Sequence, residues 1–133
     1  MIIDSSAIIA VLQDESEAPA IVDVLAAEPD LAISAATLLE ASVVADGPRD
    51  PVRSARFDAL VDALAMEVVP LTAVQSAIAR QAYRDYGRGS GHLARLNLGD
   101  CFSYALAAER ADSLLFVGDD FGHTDMRSAL PHR

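Results

Sequence analysis

Apolar positions along the chain follow two alternating rhythms. Short runs rich in Leu, Ile and Val predict four strands: "MII" at 1–3, "LAIS" at 31–34, "MEVVPL" at 66–71 and "SLLFVG" at 113–118. Between them the apolar residues recur at helical spacing. "SSAIIAVLQDE" (5–15) carries Ile8, Ile9 and Leu12, "ESEAPAIVDVLAA" (15–27) admits Pro19 near its first turn, and "AATLLEASVVA" (35–45) follows the second strand. Asp50 and Pro51 make an N-cap and first-turn pair for a helix whose stripe is Phe57, Leu60, Val61 and Leu64. Thr72 caps "TAVQSAIARQAYRDY", and "DCFSYALAAERA" (100–111) predicts the last helix. The segment "GRGSGH" (87–92) between these two reads as a flexible surface loop.

Strands alternating with helices of this length predict an α/β fold with a parallel sheet covered on both faces, because parallel neighbours need a crossover and crossovers are usually helical. No internal repeat or linker interrupts the pattern. At 133 residues and 52% apolar content, a single domain over 1–133 can bury a core without a disulfide or metal staple. No apolar run approaches the roughly 20 residues of a membrane span, and the start lacks a basic signal-peptide region. The single cysteine, Cys101, fits a reducing cytoplasm and reads as a small buried hydrophobe.

Charge changes the picture. The formal net charge is −10, which argues against non-specific electrostatic attachment to nucleic acid or an anionic membrane. All ten basic residues are arginine, so no mechanism that needs an ammonium side chain is open. Yet carboxylates stand where ligands bind in parallel α/β sheets, beyond the carboxyl ends of strands. Asp4 ends the first strand, Asp119 and Asp120 follow the fourth, Asp100 opens the last helix, and Glu40 lies about two turns into the helix after the second strand, among apolar neighbours. Two carboxylates 4 Å apart repel by about 4 kcal/mol at an effective dielectric of about 20. A hard cation offsets that, and carboxylates without a Cys or His cluster select Mg²⁺ or Mn²⁺ over Zn²⁺. Each acid also has a plainer reading: Asp100 as a helix N-cap, Asp119 and Asp120 as a solvated turn. An unpaired buried Glu40 has none, since it is costly without a partner.

The motifs "MIIDSSAIIAVLQDE", "ISAATLLEAS", "HLARLNLGDCFSYALA" and "LLFVGDDFGHTDM", in this order over essentially the whole chain, resemble those of PIN-domain ribonucleases, in particular VapC toxins of type II toxin–antitoxin pairs. The resemblance implies a PIN-like three-layer fold with a small parallel sheet of four to five strands. It also implies Mg²⁺-dependent hydrolysis of RNA phosphodiester bonds, with Mn²⁺ as a substitute, a cognate small antitoxin and a homodimer. By this resemblance Asp4, Glu40, Asp100 and Asp119 match the family's acidic positions, with Asp120 an alternative to Asp119. The same resemblance implies Asp4 and Asp100 as direct metal ligands and the other acids as further or water-mediated ones. Ser6 matches a small hydroxyl residue beside the first Asp, and Thr124 matches the "TD" after the last strand.

An RNA substrate has to be met locally by cations. Arg80, Arg84 and Arg88 recur every four residues as one helix face continuing to His92 and Arg95, and can either track phosphates or pair with Asp85 as a solvated face. Arg49, Arg53 and Arg56 form a second patch. His92 and His123 read as surface residues, and no His general base is needed. Two rivals remain: a degenerate PIN domain serving as an interaction module, and a phosphoaspartate protein of haloacid dehalogenase or receiver type. The second normally uses a lysine, and its Asp-x-Asp is replaced here by Asp4-Ser5-Ser6.

Overall fold

The computed structural model describes residues 1–131. Strands β1 (Ile2–Ile3), β2 (Ala32–Ser34), β3 (Glu67–Val69) and β4 (Leu114–Leu115) form one sheet in the order β3-β2-β1-β4. Every pairing is parallel, with Ile2 opposite both Ala32 and Leu114, and Ala32 opposite Glu67. Helices α1 (Ser5–Leu12) and α2 (Ala18–Ala27) connect β1 to β2, and α3 (Ala35–Asp46) and α4 (Pro51–Leu64) connect β2 to β3. The return to β4 runs through α5 (Ala73–Tyr86) and α6 (Leu98–Arg110). The chain thus winds outward from β1 and then comes back to its other side, which makes the β1/β4 junction the switch point of the sheet.

Successive strand residues point to opposite faces, and the burial follows. Ile2, Ala32 and Leu114 pack under α5 and α6 with Ala79, Ala82, Leu106 and Phe121. Ile3, Ile33 and Leu115 pack under the other four helices with Ile8, Ile21, Ala41 and Phe57. Two cores on two faces give three layers, and explain why strands of two or three residues suffice: each is buried on both sides. The edge strand β3 is the exception, since only Val69 of its three residues is buried. A single parallel bridge between Leu114 and Ser128 extends the other edge, where a fifth strand was open.

Several sequence boundaries move. The third and fourth strands are shorter than their apolar runs, and the first helix stops at Leu12. The last helix starts at Leu98 under an Asn97 cap, not at Asp100. The "GRGSGH" loop is anchored at its root: Arg88 N–H donates to Leu96 O (3.0 Å), Leu96 N–H donates to Tyr86 O (2.8 Å), and buried Leu96 leads directly into the Asn97 cap. Gly89 and Gly91 take φ of 85° and 86° at its tip, where a left-handed backbone suits glycine. Among the described residues no helix is long and apolar enough to cross a membrane.

Candidate active site

Asp4 is the first residue beyond β1 and is only 2% exposed. Its backbone N–H still belongs to the sheet, donating to Leu115 O (3.0 Å), while its side chain caps α1 by accepting from Ser6 N–H (3.1 Å). Hydroxyls complete its shell. Ser6 Oγ donates to Oδ2 (2.6 Å) and Ser103 Oγ to Oδ1 (2.5 Å), while Thr37 Oγ1 lies 3.2 Å from Ser103 Oγ. Ser6 Oγ also accepts from Val117 N–H (3.0 Å), which ties the exit of β4 to Asp4. Ser6 is therefore engaged on both sides with the protein. Hydrogen bonds to an ionised carboxylate in a dry setting are strong ones, so this buried acid is held in one orientation.

Asp100 stands at the third position of α6 and forms a capping box: its N–H donates to Asn97 Oδ1 (2.8 Å), and its Oδ2 accepts from Asn97 N–H (3.0 Å). The N-cap reading thus gives way to a neighbouring role, because Asn97 supplies the cap and Asp100 its reciprocal partner. One oxygen of Asp100 remains outside this bond. Burial raises the Asp100 carboxyl to about 6, with the Asn97 N–H opposing and with Asp4, Asp120 and Glu40 adding repulsion. The repulsion identifies the acids that converge. After β4 it comes from Asp120, next to Asp119 in the same turn. Gly118, with φ of 102°, turns the chain immediately before this pair.

Glu40 corrects another expectation. It is half-buried, not sealed among apolar neighbours, because Leu39 and Val43 point to solvent with 66% and 62% of their surface exposed. Nor is it unpaired, since Ser5 Oγ donates to its Oε1 (2.9 Å). Its carboxylate lies over Gly99, at the start of α6. Three elements thus bring acids to one edge: β1 with Asp4, α3 with Glu40, and α6 with Asp100, with the turn after β4 adding Asp120.

The donors at this edge are carboxylate oxygens. Cys101 is fully buried in the core under α6, and burial, then the Asp100 charge, push its thiol up to about 11, so it stays protonated. His92 lies edge-on to Tyr86, ring centres 4.9 Å apart, with Nδ1 accepting from Ala94 N–H (3.0 Å). An oxygen-only set with its own repulsion fits a hard divalent cation. Among the described residues no three acidic, His or Cys side chains close on a single point. Asp4, Glu40 and Asp100 each have an oxygen drawn to a protein donor instead.

The substrate candidates separate. Helix α5 ends at Tyr86, so the face with Arg80 and Arg84 does not continue through Arg88, His92 and Arg95. Arg80 lines an apolar groove with Leu71, Tyr83, Leu98 and Phe102. Asp85 accepts from Gln81 Nε2 (3.0 Å), and among the described residues Arg80, Arg84 and Arg88 pair with no carboxylate. In the second patch, Arg53 Nε donates to Ala45 O (3.0 Å) and Arg56 to Leu12 O (3.4 Å), bracing helices. Thr124 is consumed locally: its hydroxyl donates to Phe121 O (2.7 Å) and accepts from Met126 N–H (3.1 Å). Sequence reasoning passed over Ser5, Thr37, Asn97, Gly99 and Ser103. Asn97-x-x-Asp100 is a capping-box spacing and was open to detection, whereas Ser103 meets Asp4 only across the fold.

The PIN domain family model matches residues 1–126, and the chain belongs to that family. Within it, the chain is similar to the VapC proteins. It is 51% identical to Ribonuclease VapC28 of Mycobacterium tuberculosis over 133 residues, the whole of both chains. It is 46% identical to Ribonuclease VapC42 of the same species over 129 residues, 97% of this chain and 98% of the relative. Solved structures support the fold: Mycobacterium tuberculosis VapC20, described as a sarcin-ricin loop cleaving toxin, superposes with a TM-score of 0.75 at 16% identity over 98% of each chain. A toxin–antitoxin complex from Klebsiella pneumoniae matches with a TM-score of 0.69 at 18% identity, over 93% of this chain and 92% of that one.

Proposed function

We propose that the acid edge at the β1/β4 switch point is the centre of a divalent-cation-dependent endoribonuclease, and that the chain is the toxin of a toxin–antitoxin pair. The observation that carries the reading is geometric: Asp4 buried at the end of β1, Glu40 lying over the start of α6 and Asp100 in its first turn bring three carboxylates from three elements to one edge. Unfavourable charge gathered at one place is characteristic of functional sites. The VapC relatives, ribonucleases by name at up to 51% identity over the full length, give it its chemistry.

Asp4 and Asp100 would hold Mg²⁺, or Mn²⁺ in its place, with Glu40 and Asp120 as further or water-mediated ligands. Asp119, adjacent in the same turn, shares that role with Asp120. When bound, the ion supplies Lewis-acid polarisation of the scissile phosphate and a lowered pKa for attacking water. The chain's own residues do the rest. Ser6 and Ser103 hold Asp4, the capping box holds Asp100, and Ser5 holds Glu40. Arg84 and Arg88, exposed and free of carboxylate partners among the described residues, meet RNA phosphates. Ser6, Thr124 and His92 serve the fold around the site.

The partners follow from the same reading. An antitoxin closing this negative edge would insert an arginine, whose fork pairs with carboxylates bidentately. Leu39, Val43 and Leu98, exposed beside the acid edge, offer an apolar face for a second copy. The setting is the cytoplasm, where RNA and a reduced Cys101 belong together. The deciding experiment incubates purified protein with RNA, with Mg²⁺ or with EDTA. Cleavage in Mg²⁺ that stops in EDTA supports the site, and cleavage that survives in EDTA or in an Asp4→Ala variant removes it.

A further inference from the structure

Gly99 is the second residue of α6, and no demand of the backbone explains a glycine there. It lies inside a regular helix and is absent from the positive-φ positions, whereas Gly89, Gly91 and Gly118 are among them. Space explains it. A Cβ on Gly99 would overlap the Glu40 carboxylate, and all three of its nearest atoms belong to that one side chain. Glu40 reaches this place from α3, with Ser5 Oγ bonding its Oε1 (2.9 Å) from the first turn of α1. The carboxylate therefore rests against the start of α6, where the helix dipole favours negative charge, one residue from Asp100.

We propose that Gly99 is a positioning residue whose missing side chain forms the slot that seats Glu40 at the acid edge, with Ser5 as the second wall of that slot. The activity and Mn²⁺ arms of its test rest on the metal-dependent ribonuclease reading above; the melting temperatures in EDTA do not. Alanine is a better helix former than glycine, so Gly99→Ala costs the helix itself nothing. What it does is force Glu40, a half-exposed and flexible side chain, out of place.

The experiment is a double-mutant cycle over Gly99→Ala and Glu40→Ala, read by RNA cleavage rate and by the melting-temperature shift that Mn²⁺ induces. Gly99→Ala is expected to lower cleavage about as far as Glu40→Ala does, on the order of 100-fold for a group misplaced by about 1 Å. It should also shrink the Mn²⁺-induced shift to the same extent. Added to Glu40→Ala, it should change neither readout. Should Gly99→Ala melt low because the overlap strains the fold, adding Glu40→Ala must restore the melting temperature. Parental cleavage by Gly99→Ala, losses that add in the double variant, or a low melting temperature that Glu40→Ala leaves in place would overturn the slot. A parent that neither cleaves RNA nor responds to Mn²⁺ would instead sink the ribonuclease reading, and the same cycle read by melting in EDTA, where the two substitutions must be non-additive, would still decide the slot.

Discussion

The two ends of the sheet handle acidic charge in opposite ways. At the amino end, Asp112 accepts from the Met1 amine (2.8 Å) and from Ser113 N–H (2.7 Å), and beside it Arg110 grips Glu67 with two bonds, 3.1 and 2.9 Å. Burial pushes the Asp112 carboxyl up, but the amine, the Ser113 N–H and Arg127 together hold it below its ordinary value. At the carboxyl end, burial pushes Asp100 up in the same sense, and three further carboxylates push with it, to about 6. The same desolvation is thus opposed by cationic partners at one end and reinforced by like charges at the other. A chain that pairs its acids where the fold alone is at stake has left them facing one another at the switch point.

The largest effect expected from this contrast is loss of activity at Asp4. Asp4→Asn keeps the α1 cap, because Asn caps about as well as Asp. It removes the buried charge, however, and RNA cleavage should fall by about 100-fold or more, equivalent to about 2.7 kcal/mol. Initial cleavage rates on folded protein, checked by circular dichroism, measure it. A variant within a few-fold of the parent would mean that the carboxyl end is no more functional than the amino end.

Ser103→Ala comes next. Ser103 and Thr37 are fully buried, and the substitution leaves Asp4 Oδ1 without its hydroxyl and Thr37 Oγ1 without its neighbour. Losing a hydrogen bond to a buried charge costs about 1.5–3 kcal/mol. Ser5→Ala, at a half-buried site, should cost less, about 0.5–1.5 kcal/mol. Urea unfolding of the two variants orders them; equal losses would show that Asp4 is not held more tightly than Glu40.

How far this was legible in the sequence depends on the link. Asp4 and Asp100 could be placed at an edge of the sheet because strand ends and helix starts are local patterns, whereas Glu40, mid-helix, was singled out by its apolar neighbours and its burial misjudged. Their hydroxyl partners could not be ranked, because Ser103 meets Asp4 across 99 positions of chain and only the packed fold brings them together. Gly99 was invisible for the same reason: nothing around "LGD" says that a carboxylate from α3 fills its place. The register of Asp119 and Asp120 was open in the sequence, since two adjacent acids in a turn led by a left-handed Gly118 have no periodicity to rank them. The arginine stripe failed at Gly87, where the backbone leaves the helix and the four-residue spacing loses its meaning.

Asp100→Asn sharpens the comparison through pH. The folded value of Asp100, about 6, lies above the ordinary 3.8, so the folded protein binds the proton more tightly than the unfolded chain does. Stability from this group is fully present below about pH 3.8 and is lost as pH rises through about 6. Asparagine removes that loss while its side-chain oxygen can still accept from Asn97 N–H. In EDTA the two proteins should melt together near pH 4, and the variant should melt a few degrees higher at pH 7. Saturating Mg²⁺ at pH 7 should reverse the order, because an ion bound only to the folded parent stabilises it by RT ln(1 + [L]/Kd). A variant that melts lower in EDTA at pH 7 would place Asp100 with the paired acids of the amino end.

The smallest effect is expected at that amino end. The Arg110–Glu67 pair has good bidentate geometry, but its side chains are 36% and 62% exposed. Its hydrogen bond from Arg110, then the guanidinium charge, hold Glu67 below its ordinary 4.5. Any stability it adds is therefore present above about pH 4.5 and fades as pH falls through the lowered value. Water and salt screen a pair so exposed, and holding two long side chains in one geometry costs entropy. Glu67→Gln should leave both the melting temperature at pH 7 in about 0.15 M salt and the rate of RNA cleavage where they are in the parent. A clear drop in melting temperature that high salt abolishes would show that the surface pair stabilises β3 against the end of α6. The amino end would then depend on its charges too, and pairing, not burial alone, would be what separates it from the acid edge.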